Sequence, residues 1–243
     1  VSESISARLL RSSSELSEKL EALSFTAPVA YAYFPVRYAM DAHSQYIERF
    51  AESGRTLLLG MNPGPFGMAQ TGVPFGDIHA VRDWLHIEGS TLPVENVHPK
   101  RPVLGFASTR GEGSGKRLWE WAASFGSPEV FFEHFFVWNF CPVLFLDEGG
   151  RNLIPEKLAK LERSRLEELC DQALRDAVAI LAPARVIGVG AYARKRASLA
   201  LDSDDVGQIL HPSPANPQAN RDWVGTVERQ LEEQGVRISG LRA

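Results

Sequence analysis

Four short apolar runs divide this chain: Thr56–Gly60, His134–Asn139, Arg185–Gly190 and Val206–His211, each closing on a Gly, Pro or Asn cluster. Continuous apolar stretches of this length read as strands buried on both faces. Between and beyond them the pattern is helical, over Gly76–Leu85, Lys116–Phe125, Glu156–Leu181, Ala191–Leu201 and Trp223–Gln234. Upstream, Ile5, Leu9, Leu16, Leu20 and Leu23 recur at helical spacing among Ser, Glu and Arg. This predicts an amphipathic helix within residues 1–25, packed on the rest. A further helix is predicted from about Tyr38 to Phe50, with Gly54 as its terminating residue. The alternation predicts an α/β fold: a single domain over residues 1–243 with a central four-stranded parallel sheet flanked by helices. The irregular stretch from His86 to Gly115 is the candidate functional loop.

Composition removes several classes. Two cysteines, Cys141 and Cys170, are too few for a disulfide scaffold, a four-cysteine zinc site or a cysteine-held iron–sulfur cluster, which points to a reducing cytoplasm. The longest apolar candidate, Phe135 to Leu146, is interrupted by Asn139 and Pro142 and is too short to span a bilayer. The opening Val1-Ser-Glu-Ser lacks the basic patch and apolar stretch of a signal peptide. No two of the six histidines stand at i, i+4 spacing with an acidic partner, so no metal site is expected. A net charge of −4 argues against a general polyelectrolyte binder and confines any nucleic-acid contact to a local patch.

In open parallel sheets, ligands bind beyond the carboxyl ends of the strands. Here those ends are Met61-Asn62-Pro63-Gly64, Phe140-Cys141-Pro142, Ala191-Tyr192 and His211-Pro212-Ser213-Pro214, and the polar residues beside them are Asn62, Asn139 and His211. Two amides and an imidazole can donate and accept hydrogen bonds but include no strong base. Two nucleotide-binding patterns fail on their details. Gly188-Val-Gly190-Ala-Tyr-Ala193 fits a dinucleotide fingerprint, but the acidic Asp202, Asp204 and Asp205 come too early after it. Gly111-Glu-Gly-Ser-Gly115-Lys116 looks like a phosphate loop, except that Arg110 and Arg117 stand where Gly and Ser or Thr belong. Close strand–helix packing and a loop feeding a helix are the plainer readings. A nucleotide-cofactor enzyme and a catalytically silent DNA-binding domain are kept as the competing classes.

The segment Leu59-Gly60-Met61-Asn62-Pro63-Gly64-Pro65-Phe66-Gly67-Met68-Ala69-Gln70-Thr71-Gly72-Val73-Pro74-Phe75-Gly76 is far more specific. It resembles the first active-site motif of the single-strand-selective monofunctional uracil-DNA glycosylase family, within the uracil-DNA glycosylase superfamily. His211-Pro-Ser-Pro-Ala-Asn-Pro-Gln-Ala-Asn220 resembles the second motif. Ser114-Gly115-Lys-Arg117-Leu-Trp119, Trp138-Asn139-Phe-Cys141-Pro142 and Gly149-Gly-Arg-Asn152-Leu are similar to further blocks in the same order. The likeness runs from about Val29 to Gly235. Two positions depart from it: Ala215 stands where the family often has Arg, and Phe34 where Asn is common.

The resemblance implies a uracil-DNA glycosylase-like fold and excision of uracil, with 5-hydroxymethyluracil or other deaminated or oxidised bases, from single- and double-stranded DNA. Neither metal nor cofactor is implied. Breaking the N-glycosidic bond leaves a cationic sugar and an anionic base. Catalysis therefore needs a donor on the departing oxygen, a placed water and a pocket for a flipped base. His211 is the candidate donor to uracil O2. Asn62 carries an amide that can position water but cannot deprotonate it, which implies base departure before water capture. Asn139 would accept from N3–H and donate to O4, a pattern that cytosine reverses. Phe75 would stack on the base, Gly60 and Met61 belong to the same wall, and Gly64 and Met68 would face C5, where the small Gly64 leaves room.

DNA contacts are expected from Ser114, Gly115, Lys116, Arg117 and Lys195. Lys100, Arg101 and Arg110 extend that basic surface, and Arg194 and Arg196 flank Lys195. Pro212, Ser213, Pro214, Ala215, Asn216 and Asn220 form the candidate wedge into the helix. No lysine stands in the four strand-end motifs as a Schiff-base nucleophile, which is the residue-level support for monofunctional chemistry. The expected partner is lesion-bearing DNA, met by a monomer in the cytoplasm (at the nucleoid in a bacterium), with no membrane association.

Overall fold

The strands are β1 (Tyr31–Tyr33), β2 (Thr56–Gly60), β3 (Phe135–Asn139), β4 (Leu144–Leu146), β5 (Asn152–Leu153), β6 (Arg185–Val189) and β7 (Gly207–Ile209). Among the described residues they form two sheets: a parallel one in the order β3-β2-β6-β7 and an antiparallel one in the order β1-β4-β5. The helices are α1 (Ile5–Glu21), α2 (Pro35–Tyr38), α3 (Met40–Phe50), α4 (Met68–Thr71), α5 (Gly113–Ala123), α6 (Pro128–Phe132), α7 (Lys160–Leu181), α8 (Ala191–Leu201) and α9 (Pro217–Glu233). This computed structural model describes residues 3–238 and 240–241. Val1, Ser2, Ser239, Arg242 and Ala243 lie outside the described residues, and with them the matching parts of the predicted span and of its N-terminal reading. No helix among the described residues is long and apolar enough to cross a membrane.

The parallel sheet is the predicted α/β core. All of β2 is buried, as are Val186 to Val189 in β6 and all of β3 except Trp138, because helices cover both faces. Beside β3, the side chains of α5 and α6 build an aromatic cluster in which Trp121 meets Phe125, Phe131, Phe135 and Trp223 at centroid distances of 5.3–6.0 Å. Edge strand β7 is closed by side chains of α9: Gln234 exchanges hydrogen bonds with both backbone groups of Gln208, and Gln230 accepts from the Leu210 N–H. Those glutamines take the place of a further strand. Pairing with β6 stops at Ile209, short of the predicted His211, where β6 gives way to α8 at Ala191.

Several predicted boundaries move for local reasons. Within the predicted Gly76–Leu85 segment the helix covers residues 78–84 and ends in a π turn over Ala80–Trp84, because Gly76 and Asp77 are spent in a tight turn bonded to Val73 and Phe75. α5 begins at Gly113 because the Glu112 carboxylate caps it, and α9 begins at Pro217 behind an Asn216 cap, with a break at Asp222. α7 starts only at Lys160, after a 3₁₀ turn at Pro155–Lys157. Gly54 does not end α3. Ala51 does, in an extended conformation, and Gly54 instead turns into β2 with φ +81°. The antiparallel sheet was not foreseen, since strands of two or three residues carry no readable period.

α1 packs on α7 and α3, and one polar link ties it to the centre. His43 of α3 is wholly buried, with Nδ1 donating to the Gly72 carbonyl at 2.8 Å and Nε2 accepting from the Ser13 hydroxyl at 2.8 Å. Burial lowers its pKa to about 4, against the opposing pull of the Gly72 bond. The unfolded chain titrates near the ordinary ~6.5, so between these values it binds a proton that the folded chain refuses. Stability from this group is therefore complete above pH ~6.5 and is lost progressively down to about 4, by up to about 3 kcal/mol. Urea unfolding at pH 7 and pH 4.5 should show this loss, and His43→Gln should shrink the difference between the two. An unchanged difference would remove His43 as the cause.

Candidate active site

The carboxyl ends of β2, β3 and β7 meet the start of α5 around a cavity of about 190 Å³ lined by Met61, Asn62, Gly64, Phe75, Glu112, Ser114, Asn139, Asn152, His211 and Ser213. That is smaller than the roughly 300–1,000 Å³ of pockets that enclose drug-sized ligands. It suits one flat ring.

Register builds the floor. Gly60 pairs with Asn139 across β2 and β3, and a Cβ at Gly60 would stand 2.3 Å from Asn139 Oδ1 and 2.5 Å from Phe75 Cε2. Only glycine admits both side chains. The buried Asn139 donates through Nδ2 to Met68 Sδ at 3.2 Å. Sulfur accepts and does not donate, which keeps the NH2 on the Met68 side and turns Oδ1 the other way.

Phe75 is held in a left-handed conformation, φ +53°, that costs a non-glycine residue about 1–3 kcal/mol. Its carbonyl accepts from the Trp119 indole at 3.0 Å and from the Asp77 N–H at 2.7 Å. Gly115 lies so close that a Cβ there would come within 1.9 Å of that oxygen. α5 therefore fixes the backbone that aims the Phe75 ring. The ring faces the His211 imidazole at 6.1 Å between centroids, inclined by 44°.

His211 has a defined protonation state. Its Nδ1 accepts from the Ser213 N–H at 3.1 Å, so the ring proton sits on Nε2, and burial lowers its pKa. The result is a neutral imidazole with one N–H to offer. Asn62 donates weakly to the Val143 carbonyl at 3.5 Å, and its buried Oδ1 has no protein partner. A buried carbonyl oxygen left this way is an acceptor awaiting a hydrogen-bond donor.

Glu112 and Asn152 complete the wall without having been assigned a role from sequence. Glu112 accepts from the Ser114 and Gly115 N–H groups at 3.1 and 2.8 Å, and burial raises its pKa against those two bonds. An acid just before Gly-Ser-Gly at a helix start was the missed capping signal. Asn152, brought in by β5, donates to the Pro63 carbonyl at 3.3 Å. Gly64 lines the cavity, but its missing Cβ would point at Glu112 Cγ, 3.3 Å away. The small residue makes room for that carboxylate rather than for a ligand, which corrects the expectation drawn from its size.

Ser114 and Ser213 also line the cavity, while Lys116 and Lys195 stand outside it. Lys116 is paired with Glu120 at 3.7 Å. Arg117 bonds the Pro212 carbonyl and Asn220 Oδ1 at 3.1 and 3.0 Å, and Asn220 in turn bonds the Pro214 carbonyl at 2.8 Å. Together they brace the loop that presents exposed Pro214 and Ala215. Pro212 is buried beneath it, and Asn216 is spent on the α9 cap. The Arg194–Arg196 cluster is not a free basic patch. Arg194 gives its Nε–H to the Val206 carbonyl and Arg196 is buried against Glu167 and Asp171, while Arg194 and Lys195 are exposed. At the fingerprint-like segment, a Cβ on Gly188 would meet the Arg194 backbone N at 2.2 Å, so that space is taken by α8 itself.

A family model described as the uracil DNA glycosylase superfamily matches residues 47–232. The chain is 47% identical over 227 residues to the single-strand selective monofunctional uracil-DNA glycosylase of Rattus norvegicus, covering 91% of this chain and 82% of that protein. It is 44% identical over 239 residues to the protein of the same description from Bos taurus, covering 96% and 88%. Among solved structures, the crystal structure of wild-type SMUG2 from Pedobacter heparinus aligns with a TM-score of 0.58 at 16% identity, over 91% of this chain and 94% of that one, and shares the fold. The chain therefore belongs to the uracil-DNA glycosylase superfamily, and within it to the single-strand-selective monofunctional uracil-DNA glycosylase family.

The protonation state of His211 is directly measurable. Nitrogen NMR should show the Nε2–H tautomer, titrating below the ordinary histidine value of ~6.5. A midpoint above that value would mean that burial does not govern this ring.

Proposed function

We propose that this protein hydrolyses the N-glycosidic bond of uracil in DNA, releasing free uracil and leaving an abasic site, as the first step of base excision repair. The observation that carries the reading is His211, a neutral imidazole whose N–H donor is set by the Ser213 amide, in the wall of a cavity of one base's dimensions. The bond between C1′ and N1 breaks with its electron pair passing to the base, and charge collects on O2. The His211 Nε2–H donates there, so the donor strengthens as the charge develops. Asn62 Oδ1 orients a water that adds to the cationic C1′ after the base has left, and the proton that this water loses is balanced, through solvent, by the one that the uracil anion takes up. Asn139 accepts from N3–H and donates to O4, while Phe75 supplies the stacking face. Among the described residues no lysine lines the cavity, in keeping with hydrolysis rather than Schiff-base chemistry.

The proposal extends to 5-hydroxymethyluracil and related deaminated or oxidised bases, on the side of the cavity lined by Gly64 and Glu112. There the Glu112 carboxylate offers an acceptor to a hydroxyl. It also holds that the chain acts as one domain and a monomer, in the cytoplasm, on single- and double-stranded substrates. In the same reading Ser114, Gly115, Lys116 and Lys195 lie along the DNA path, Arg117 and Asn220 brace the loop, and its exposed Pro214 and Ala215 form the wedge.

The test is incubation with oligonucleotides carrying one uracil, scored for free uracil and for abasic sites after alkali. His211→Ala should lower the single-turnover rate about 10²–10³-fold, the scale of one oxyanion donor, with DNA affinity little changed. An undiminished rate would remove His211 from the chemistry. Ala215 bears on duplex substrates, because it gives the exposed loop a single methyl where a long cation could fill the vacated stack. Extrusion from a duplex costs a few kcal/mol that single strands largely avoid. Ala215→Arg should therefore speed excision from U:A more than from U:G, leave single strands nearly unaffected and slow multiple turnover. Equal changes on all three substrates would show that position 215 does not wedge.

A further inference from the structure

Arg117 and Arg196 are committed to protein partners and Arg194 gives its Nε–H to the Val206 carbonyl, whereas Arg101 and Arg110 are gathered by one aromatic ring. The guanidinium carbon of Arg110 lies 3.9 Å from the Phe66 ring centroid, and that of Arg101 lies 5.1 Å from it. Neither forms an ion pair with a carboxylate among the described residues; Arg101 Nη1 donates to the Lys100 carbonyl, and its Nε–H has no protein acceptor. We propose that Phe66, Arg101 and Arg110 form a preorganised clamp for a phosphodiester of the DNA strand that carries the target base. This rests on the proposed substrate being DNA.

The surroundings make the clamp rigid. Gln70 is buried, and its amide nitrogen donates to the Pro65 and Pro102 carbonyls at 2.8 and 3.0 Å, while its oxygen accepts from the Leu104 and Gly105 N–H groups at 2.8 and 3.1 Å. One side chain thereby staples the loop bearing Phe66 to the segment that follows Arg101. The Arg101 backbone is fixed as well: its N–H bonds the His98 carbonyl at 2.8 Å, and its carbonyl accepts from the Tyr33 hydroxyl at 2.9 Å. Half-buried Phe66 attracts both cations through its ring face, which offsets their mutual repulsion and holds their donors in place.

Position in the chain selects the ligand. Phe66 lies two residues beyond Gly64, and Arg110 two residues before Glu112, both of which line the cavity. A base entering that cavity leaves its sugar and flanking phosphates at the mouth. A planar guanidinium pair presents forked donors to phosphate oxygens.

The experiment measures binding to a single-stranded oligonucleotide carrying 2′-fluoro-2′-deoxyuridine, which resists cleavage, across a potassium chloride series. Arg101→Gln and Arg110→Gln should each weaken binding about tenfold at low salt and reduce the slope of log affinity against log salt by about 0.7. Phe66→Leu keeps both charges, so it should weaken binding several-fold with the slope nearly unchanged. Inhibition by free uracil should be the same in all three variants. Unchanged slopes in both arginine variants would overturn the clamp, and full affinity in Phe66→Leu would overturn the part given to the ring. Arg110 is exposed, so its variant remains informative if Phe66→Leu folds poorly. Uracil release by the unaltered protein is scored separately: its absence would defeat the proposed function, whereas its presence with unchanged slopes would defeat only the clamp.

Discussion

The site depends on an atom that is missing. β2 and β3 pair in parallel with Gly60 opposite Asn139, and the space a Gly60 side chain would fill is occupied by the Asn139 amide and the edge of Phe75. Strand pairing is a main-chain constraint with a fixed register, so it sets the amide's position more tightly than a loop could. From that contact the rest follows outward. Phe75 can approach only if its own backbone turns into the left-handed region, and that turn needs support. α5 provides it through the Trp119 indole, with Gly115 allowing the helix to come close. Glu112 in turn caps α5 and fills the space beside Gly64. Reading pocket, stacking ring and helix cap form one mechanical unit, built by glycines placed where side chains would collide.

Much of this was legible in the sequence because it rests on short-range rules. Continuous apolar runs ending in turn residues located β2, β3 and β6 to within a residue, and the strand-end rule brought Asn62, Asn139 and His211 together before any coordinates. What escaped notice depends on distant partners. Nothing local marks Leu144–Leu146 or Asn152–Leu153 as strands, yet their pairing carries Asn152 to the cavity. Charges misled for the same reason. Arg194 and Arg196 look like a basic patch in the chain, but one faces a carbonyl and the other two carboxylates from α7, more than twenty residues away in sequence. Whether an arginine is available to a ligand is decided by tertiary partners that a linear reading does not contain.

The groups proposed to touch the base carry no net charge: the Asn62 and Asn139 amides, the Phe75 ring and a His211 imidazole kept neutral by burial and by the Ser213 N–H. The nearest carboxylate, Glu112, is held by two backbone donors and belongs to the helix cap. Such a site takes up a neutral pyrimidine without stripping water from an ion, so little binding energy is lost on the ground state. Charge on the base appears as the glycosidic bond opens, and it develops against a donor already oriented in the cavity wall, where a hydrogen bond to an ion is strongest. An imidazolium in place of His211 would have to surrender the Ser213 hydrogen bond and would be desolvated even with the cavity empty. A neutral donor is weaker but is ready at every pH above its lowered pKa. Its contribution rises only in the transition state, and that difference is what accelerates bond cleavage.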